Sequence, residues 1–230
     1  MKSAIWNLSD FNISMVSKYG DLYELESDIN NLYGSSNFSE LDTLDWFMID
    51  KKKNNISFLL LSIPSIIKDE YEFNSITIDK LRKISLNNSI EKFAFNVNMQ
   101  DVAYFSMKKN ELLVTSNLLN IRYKVQILDN LYFLLNNDYS YQGFLLENAT
   151  RCIPNVNEIR EDNIFNPLLS KMLKLCTAES YDKMDNVDEY ELLNIISLEV
   201  ECLNNLHKDK RIYQILDFIK NLKFTFYDYE

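Results

Sequence analysis

FAFNVNMQDVAYFSMKKNELLVTSNLLNIRYKVQI, residues 93–127, is the stretch that decides the fold of this chain. Apolar and polar residues alternate along it with the two-residue period of strands that lie on a core. The run Lys108-Lys109-Asn110 divides the stretch with a polar turn. The pattern predicts an antiparallel β-meander at the centre of a sheet that covers roughly residues 46–145.

The residues before this stretch predict further strands and one helix. Two apolar runs, residues 46–49 and 56–63, read as strands that are joined by a loop, residues 51–55, which is too charged to be buried. Between residues 21 and 32 the apolar side chains recur at helical spacing, and Gly34 stands where a C-terminal cap belongs. We therefore expect an acidic surface helix near the N-terminus.

After the stretch, the period changes from strand to helix. Residues 131–144 predict one more strand or a hairpin, and the mixed charges of residues 149–163 predict an exposed linker. In the first helix that follows, Pro167 favours the first turn, with Asn166 before it as the cap. The aromatic and acidic tail, residues 223–230, has strand propensity and could pair with the edge of the sheet.

Two further helices are predicted over residues 187–207 and 212–222. In the helix over residues 212–222, Ile212, Ile215, Leu216, Ile219 and Leu222 form the expected core stripe. In the helix over residues 187–207, the side chains expected to face the core are Leu192, Leu193, Ile196, Val200 and Leu203. Those expected to face water are Glu189, Glu191 and Glu201.

Strand-like runs precede helical runs instead of alternating with them, which predicts an α+β fold with a C-terminal helical layer. Residues 1–150 are expected to form a sheet-rich part that includes the acidic N-terminal helix. Residues 164–230 are expected to form a helical part that packs on it in one compact unit. The chain of 230 residues is 47% hydrophobic, which is enough to bury a sizeable core.

Several enzyme classes are excluded by composition. The chain has 3 glycines, far apart, so it contains no dinucleotide fingerprint, no P-loop and no nucleophile elbow. The single histidine, His207, excludes a zincin motif, and it lies five residues after Cys202, a spacing that points the two side chains to different faces of a helix. We expect no catalytic pair there, no metal and no cofactor. The acids Asp182, Asp185, Asp188 and Glu189 lack the spacing of an EF-hand and favour a solvated helix start.

Sequence features also predict the location of the chain. The N-terminus turns polar too early for a secretory signal, and the longest apolar run, residues 56–67, is too short to span a bilayer. The three cysteines are odd in number and far apart, which favours free thiols in a reducing compartment. We therefore expect a cytoplasmic protein with no membrane contact.

The net charge of −10 is unevenly distributed. Residues 1–50 carry 9 acids and 2 bases, and residues 179–201 carry 8 acids and 1 base, whereas residues 79–128 carry 4 acids and 8 bases. Such a distribution can steer a charged partner, and its overall sign disfavours nucleic acid. The alternative interpretation is that the net negative charge only keeps the protein soluble.

These features favour a non-catalytic binding protein whose partner is a basic protein. The class that fits this character is the bacterial toxin-neutralising immunity protein, an acidic inhibitor that covers a basic active site. The candidate partner-binding residues are Glu24, Glu26, Asp28, Asp185, Asp188 and Glu189.

Two alternatives from other classes remain open on the sequence. The first is a sheet that binds nucleic acid through its basic meander, by Tyr104, Tyr123, Lys108, Lys109, Arg122 and Lys124. The second is an enzyme that uses carboxylates alone, for which no sequence signature exists.

Overall fold

The computed structural model describes residues 3–16, 24–25, 27, 44–50, 55–68, 81–84, 96–98, 100–154 and 160–227. Twelve strands lie within these residues: β1 Ala4–Asn7, β2 Asn12–Met15, β3 Leu44–Asp50, β4 Asn55–Ser62, β5 Ile67–Lys68, β6 Arg82–Ile84, β7 Asn96–Asn98, β8 Ala103–Ser106, β9 Glu111–Val114, β10 Tyr123–Gln126, β11 Leu131–Leu135 and β12 Tyr141–Glu147. Four helices lie within residues 160–227: α1 Asp162–Lys174, α2 Ala178–Asp185, α3 Glu189–Asn205 and α4 Ile212–Tyr227.

The strands form two sheets, and the predicted α+β class is confirmed. The first sheet has the order β1-β2-β4-β3-β7, with all neighbours antiparallel. The second has the order β5-β8-β9-β12-β11-β10-β6, with antiparallel strands in its centre and a parallel pair at each edge. Residues 131–147 form the predicted hairpin, and the predicted polar turn joins β8 to β9.

The stretch 93–127 does not form one continuous meander, although its described parts contain the predicted strands. Strand β7 joins the first sheet, whereas β8 and β9 lie on one side of the second sheet and β10 on the other. Strand β9 pairs with β12, and Gly143 permits this pairing because a side chain there would overlap the carbonyl oxygen of Val114. Gly143 also has a φ of +117°, which side chains rarely adopt.

The two sheets share one hydrophobic core with the helices. The ring of Phe47 on β3 lies 4.8 Å from that of Phe133 on β11, so the sheets pack against each other. The ring of Phe11, beside β2, lies 5.6 Å from that of Phe218 on α4. A single cluster of buried apolar side chains continues through both sheets into all four helices.

One buried carboxyl group links the two sheets. Asp45 on β3 accepts hydrogen bonds from the backbone N–H of Ser62 and from the hydroxyl of Tyr141 on β12, each at 2.7 Å. Burial raises the pKa of Asp45 to about 7, although these two hydrogen bonds act in the opposite direction. Asp45 therefore acts as a polar connection within the core and has no contact with solvent.

The beginning of the helical layer differs from the prediction because a buried arginine organises it. Residues 149–152 form a 3₁₀ turn in which Ala149, Thr150 and Cys152 are buried, so the first half of the predicted exposed linker is packed. Arg211 donates to the carbonyl oxygen of Thr150 and to the carboxylate of Asp162, the first residue of α1. Helix α1 begins at Asp162, five residues before the predicted first helical residue, so Pro167 lies inside the helix.

The end of the chain also differs from the prediction. Residues 223–227 continue α4 and form no strand, because their side chains contact neighbouring helices. Lys223 forms an ion pair with Glu199 at 3.0 Å, and the ring of Phe226 lies 5.6 Å from that of Tyr181. The core stripe of α4 is confirmed at four positions, whereas Leu216 is only half-buried and Phe218 completes the buried set.

No helix among the residues that the structure describes has the length and apolar character that crossing a bilayer requires. Residues 24, 25 and 27 are helical, and the rest of the predicted N-terminal helix lies outside the described residues.

Candidate protein-binding face

Helix α3 packs against both α1 and α4, and an ion pair joins it to each of them. Both carboxylate oxygens of Glu201 accept a hydrogen bond from the ammonium group of Lys171 on α1, at 2.5 and 2.6 Å. On the other flank, Glu199 pairs with Lys223 of α4. The side of α3 that faces the core buries Ile195, Leu198 and Cys202. These contacts fix the rotation of α3, so its opposite side is exposed to water.

That opposite side is apolar. Five large hydrophobic side chains lie along it or directly before it, each with at least half of its surface exposed: Val187, Tyr190, Leu193, Val200 and Leu203. We call this set the α3 outer face. Single exposed apolar residues are normal on a protein surface, but a contiguous apolar surface rimmed by polar residues is typical of an interaction site.

The predicted orientation of α3 is therefore wrong. Leu193, Val200 and Leu203 were expected in the core and are exposed, and Glu191 was expected in water and is buried. The reason is that α3 carries a second apolar stripe, Ile195 with Leu198 and Cys202, at equally good helical spacing. Periodicity cannot choose between two stripes on one helix, whereas the packing of α3 against α1 and α4 buries one of them.

The predicted C-terminal acids lie at the N-terminal end of the α3 outer face. Asp185 and Glu189 are exposed there. Asp188 is the N-cap of α3, and its carboxylate accepts a hydrogen bond from the backbone N–H of Glu191 at 2.9 Å. Two of the three acids are thus available to a partner, and the third stabilises the helix.

The other predicted sites are less complete. In the N-terminal acidic cluster, Glu24 is helical and exposed, and Glu26 and Asp28 lie outside the described residues. Among the residues that the structure describes, no three His, Cys, Asp or Glu side chains are placed to share a metal ion. Cys202 is buried, which raises the pKa of its thiol to about 12, whereas His207 is exposed.

The basic residues of the proposed nucleic-acid site are not brought together. Lys108 and Lys109 lie at the turn between β8 and β9, whereas Arg122 and Lys124 lie at β10, with β9, β12 and β11 between the two groups. At about 4.8 Å per strand, β9 and β10 lie about 14 Å apart in the sheet. Lys124 is buried beside Glu147 at 3.5 Å.

The tyrosines of that site are also engaged. Tyr104 is buried, and Tyr123 stacks on Tyr139 with ring centroids 5.1 Å apart. Burial keeps Tyr104 from stacking on single-stranded bases, and Tyr139 covers one face of the Tyr123 ring.

Comparison of the chain with protein-family models, with characterised proteins and with solved structures finds no match.

Proposed function

We propose that this protein is a non-catalytic, acidic, cytoplasmic binding protein that covers a basic surface of another protein, in the manner of a toxin-neutralising immunity protein. The observation that carries the proposal is the α3 outer face with Asp185 and Glu189 at its end. Apolar side chains in the centre and charges at the rim are the usual anatomy of a protein interface.

The size of the face suits this role. Helix α3 has 17 residues and is therefore about 25 Å long. A stable interface buries about 800 Å² on each partner, which a helix of this length and its two neighbours can supply. The rim acids and the net charge of −10 favour a partner whose contacting surface is positive.

The two alternatives have weaker support. The separation of the basic groups and the burial of Lys124 weaken the nucleic-acid hypothesis. A carboxylate enzyme would use Glu191 and Glu201, which line one cavity. However, both carboxylate oxygens of Glu201 accept hydrogen bonds from Lys171.

Reversing the rim charges tests the proposal. In the Asp185→Lys/Glu189→Lys variant, we expect association with the basic partner to slow by about 10-fold or more at low salt, because rim charges act mainly on the association rate. Asp129→Lys/Asp138→Lys is the matched control, since it makes the same change in net charge at exposed turns of the second sheet.

The measurement is quantitative capture from cells that naturally make the protein, followed by association kinetics with the basic protein recovered. The difference between the two variants should disappear at about 1 M salt, where charges are screened beyond about 3 Å. Recovery of no basic protein, or equal slowing in both variants, would contradict the proposal.

A further inference from the structure

A cavity of about 390 Å³ opens between α1, α2 and α3. Its charged and polar lining includes Lys171 and Lys174 of α1 and Glu191, Asn194, Ser197 and Glu201 of α3. Cavities of 300 Å³ or more are the usual size for binding a ligand or an anchoring side chain. Asn194 and Ser197 are exposed and lie one and four residues after Leu193 on α3, so the cavity adjoins the α3 outer face.

The unusual group in this cavity is Glu191. Only 4% of its surface is exposed, yet its carboxylate accepts one described hydrogen bond, from the side-chain amide of Asn194 at 3.2 Å. A carboxylate has about four acceptor sites. Within the described part of the chain, no lysine or arginine lies within ion-pair distance of Glu191. The N-terminus of α3 offsets part of the cost of this buried charge.

The two lysines of the cavity do not neutralise Glu191. The ammonium group of Lys171 is held by both carboxylate oxygens of Glu201. Lys174 is exposed, so its charge is solvated, and its side chain also borders a second cavity. Lys183 on α2 also interacts electrostatically with Glu191, but its direct ion pair is with Glu179 at 2.7 Å. Glu191 is therefore the buried charge among the residues that line the cavity, and a buried charge without a direct ion pair is costly.

We infer that this cavity holds the guanidinium or ammonium group of an arginine or lysine side chain of the basic partner, with Glu191 as its counter-ion. This inference rests on the proposed function, and it adds the anchoring contact to it. An arginine in a desolvated pocket beside an apolar surface is a common hot spot of protein interfaces. Asn194 and Ser197 supply hydrogen-bonding groups for the remaining N–H donors.

The cation site is tested first with a small probe. N-acetyl-arginine amide, titrated into the labelled full-length protein, is expected to shift the amide NMR signals of Glu191, Asn194 and Ser197 with a dissociation constant of about 1 to 10 mM. N-acetyl-citrulline amide, which has nearly the same shape and no charge, is expected to cause no shift. Equal shifts from the two probes, or none from either, would overturn the inference.

Two variants locate the charge. Glu191→Gln keeps the acceptor for Asn194 and removes the charge, so we expect arginine-probe affinity to fall about 10-fold or more. Lys174→Met removes a charge of the same sign as the probe from the lining of the cavity and is expected to raise that affinity by a few-fold. Because Lys174 is exposed, this variant keeps the test valid even if the Gln variant folds poorly. Unchanged affinity in both variants contradicts the assignment.

Capture of the basic protein tests whether the cation in the cavity is a side chain of that partner. Glu191→Gln is expected to weaken capture of the basic protein by about 10-fold or more. If the probe binds through Glu191 but capture is unchanged or no basic protein is recovered, the cavity is a site for a free small cation and the inference is wrong. If capture depends on the rim acids and the probe does not bind, the inference fails and the proposed function stands.

Discussion

Replacing Arg211 with methionine is expected to lower the free energy of unfolding by about 3 to 5 kcal/mol. Arg211 has no exposed side-chain surface, and it bonds to Asp209, to Asp162 at 2.7 Å and to the carbonyl oxygen of Thr150 at 3.3 Å. Its guanidinium group also lies 4.1 Å from the centre of the Phe165 ring. It therefore joins the turn at residues 149–152, the start of α1 and the loop before α4.

The loss of stability is large because the Arg211→Met variant leaves Asp209 without its ion-pair partner. Asp209 is fully buried, so burial alone would raise its pKa, but the hydrogen bonds from Arg211 lower it below its ordinary value. Without Arg211, Asp209 must either remain as a buried anion or take up a proton. Adding Asp209→Asn to Arg211→Met should recover part of the lost stability, because the effects of substitutions at two residues in contact are not additive.

Urea unfolding measures this prediction, with Arg122→Met as the matched control. The Arg122 guanidinium group is exposed and donates to the carbonyl oxygens of Leu119 and Ile121, so its loss is expected to cost less than about 1 kcal/mol. Similar small losses in both variants would show that Arg211 does not organise the helical layer.

Placing lysines in the α3 outer face is expected to reduce affinity for the basic partner by about 100-fold or more. Leu193 and Val200 are central in this face, and both are at least half exposed in the free protein. The Leu193→Lys/Val200→Lys variant removes apolar contact area and adds two charges that repel a positive surface. Its folding stability should be almost unchanged, because neither side chain is buried in the core.

The matched control for this variant is Leu119→Lys/Ile66→Lys, which makes the same chemical change at two other exposed hydrophobic positions. The dissociation constants of both variants for the captured protein are compared by calorimetry. We expect the control to bind like the unaltered chain. A similar loss of affinity in both would show that net charge, and not the α3 outer face, determines binding.

The fold class could be predicted from the sequence because strand and helix periods are local properties. The change of period predicted after residue 163 marks the boundary between sheets and helices, and α1 begins there, at Asp162. Strand partners are not local. The pairing of β9 with β12 depends on the absence of a side chain at Gly143, where it would overlap the carbonyl oxygen of Val114, and these positions are far apart in sequence.

The candidate site was predicted only in its charged part. Acids cluster visibly in the sequence, and Asp185 and Glu189 are exposed as an acidic rim requires. The apolar part was missed because a hydrophobic stripe on a helix is normally interpreted as core. A usable signal was present, since α3 has more apolar positions than one buried side can hold, including Leu193, Ile195 and Leu198.

The most direct measurement is photo-cross-linking from the α3 outer face. A benzophenone amino acid replaces Leu193 in one variant and Leu119 in a second variant. Leu119 lies in the connection between β9 and β10 of the second sheet and is 83% exposed. Both are irradiated in cells that naturally make the chain, and the adducts are identified by mass spectrometry. We expect position 193 to give an adduct with a basic protein and position 119 to give none. The same adduct from position 119, with none from position 193, would contradict binding through the α3 outer face.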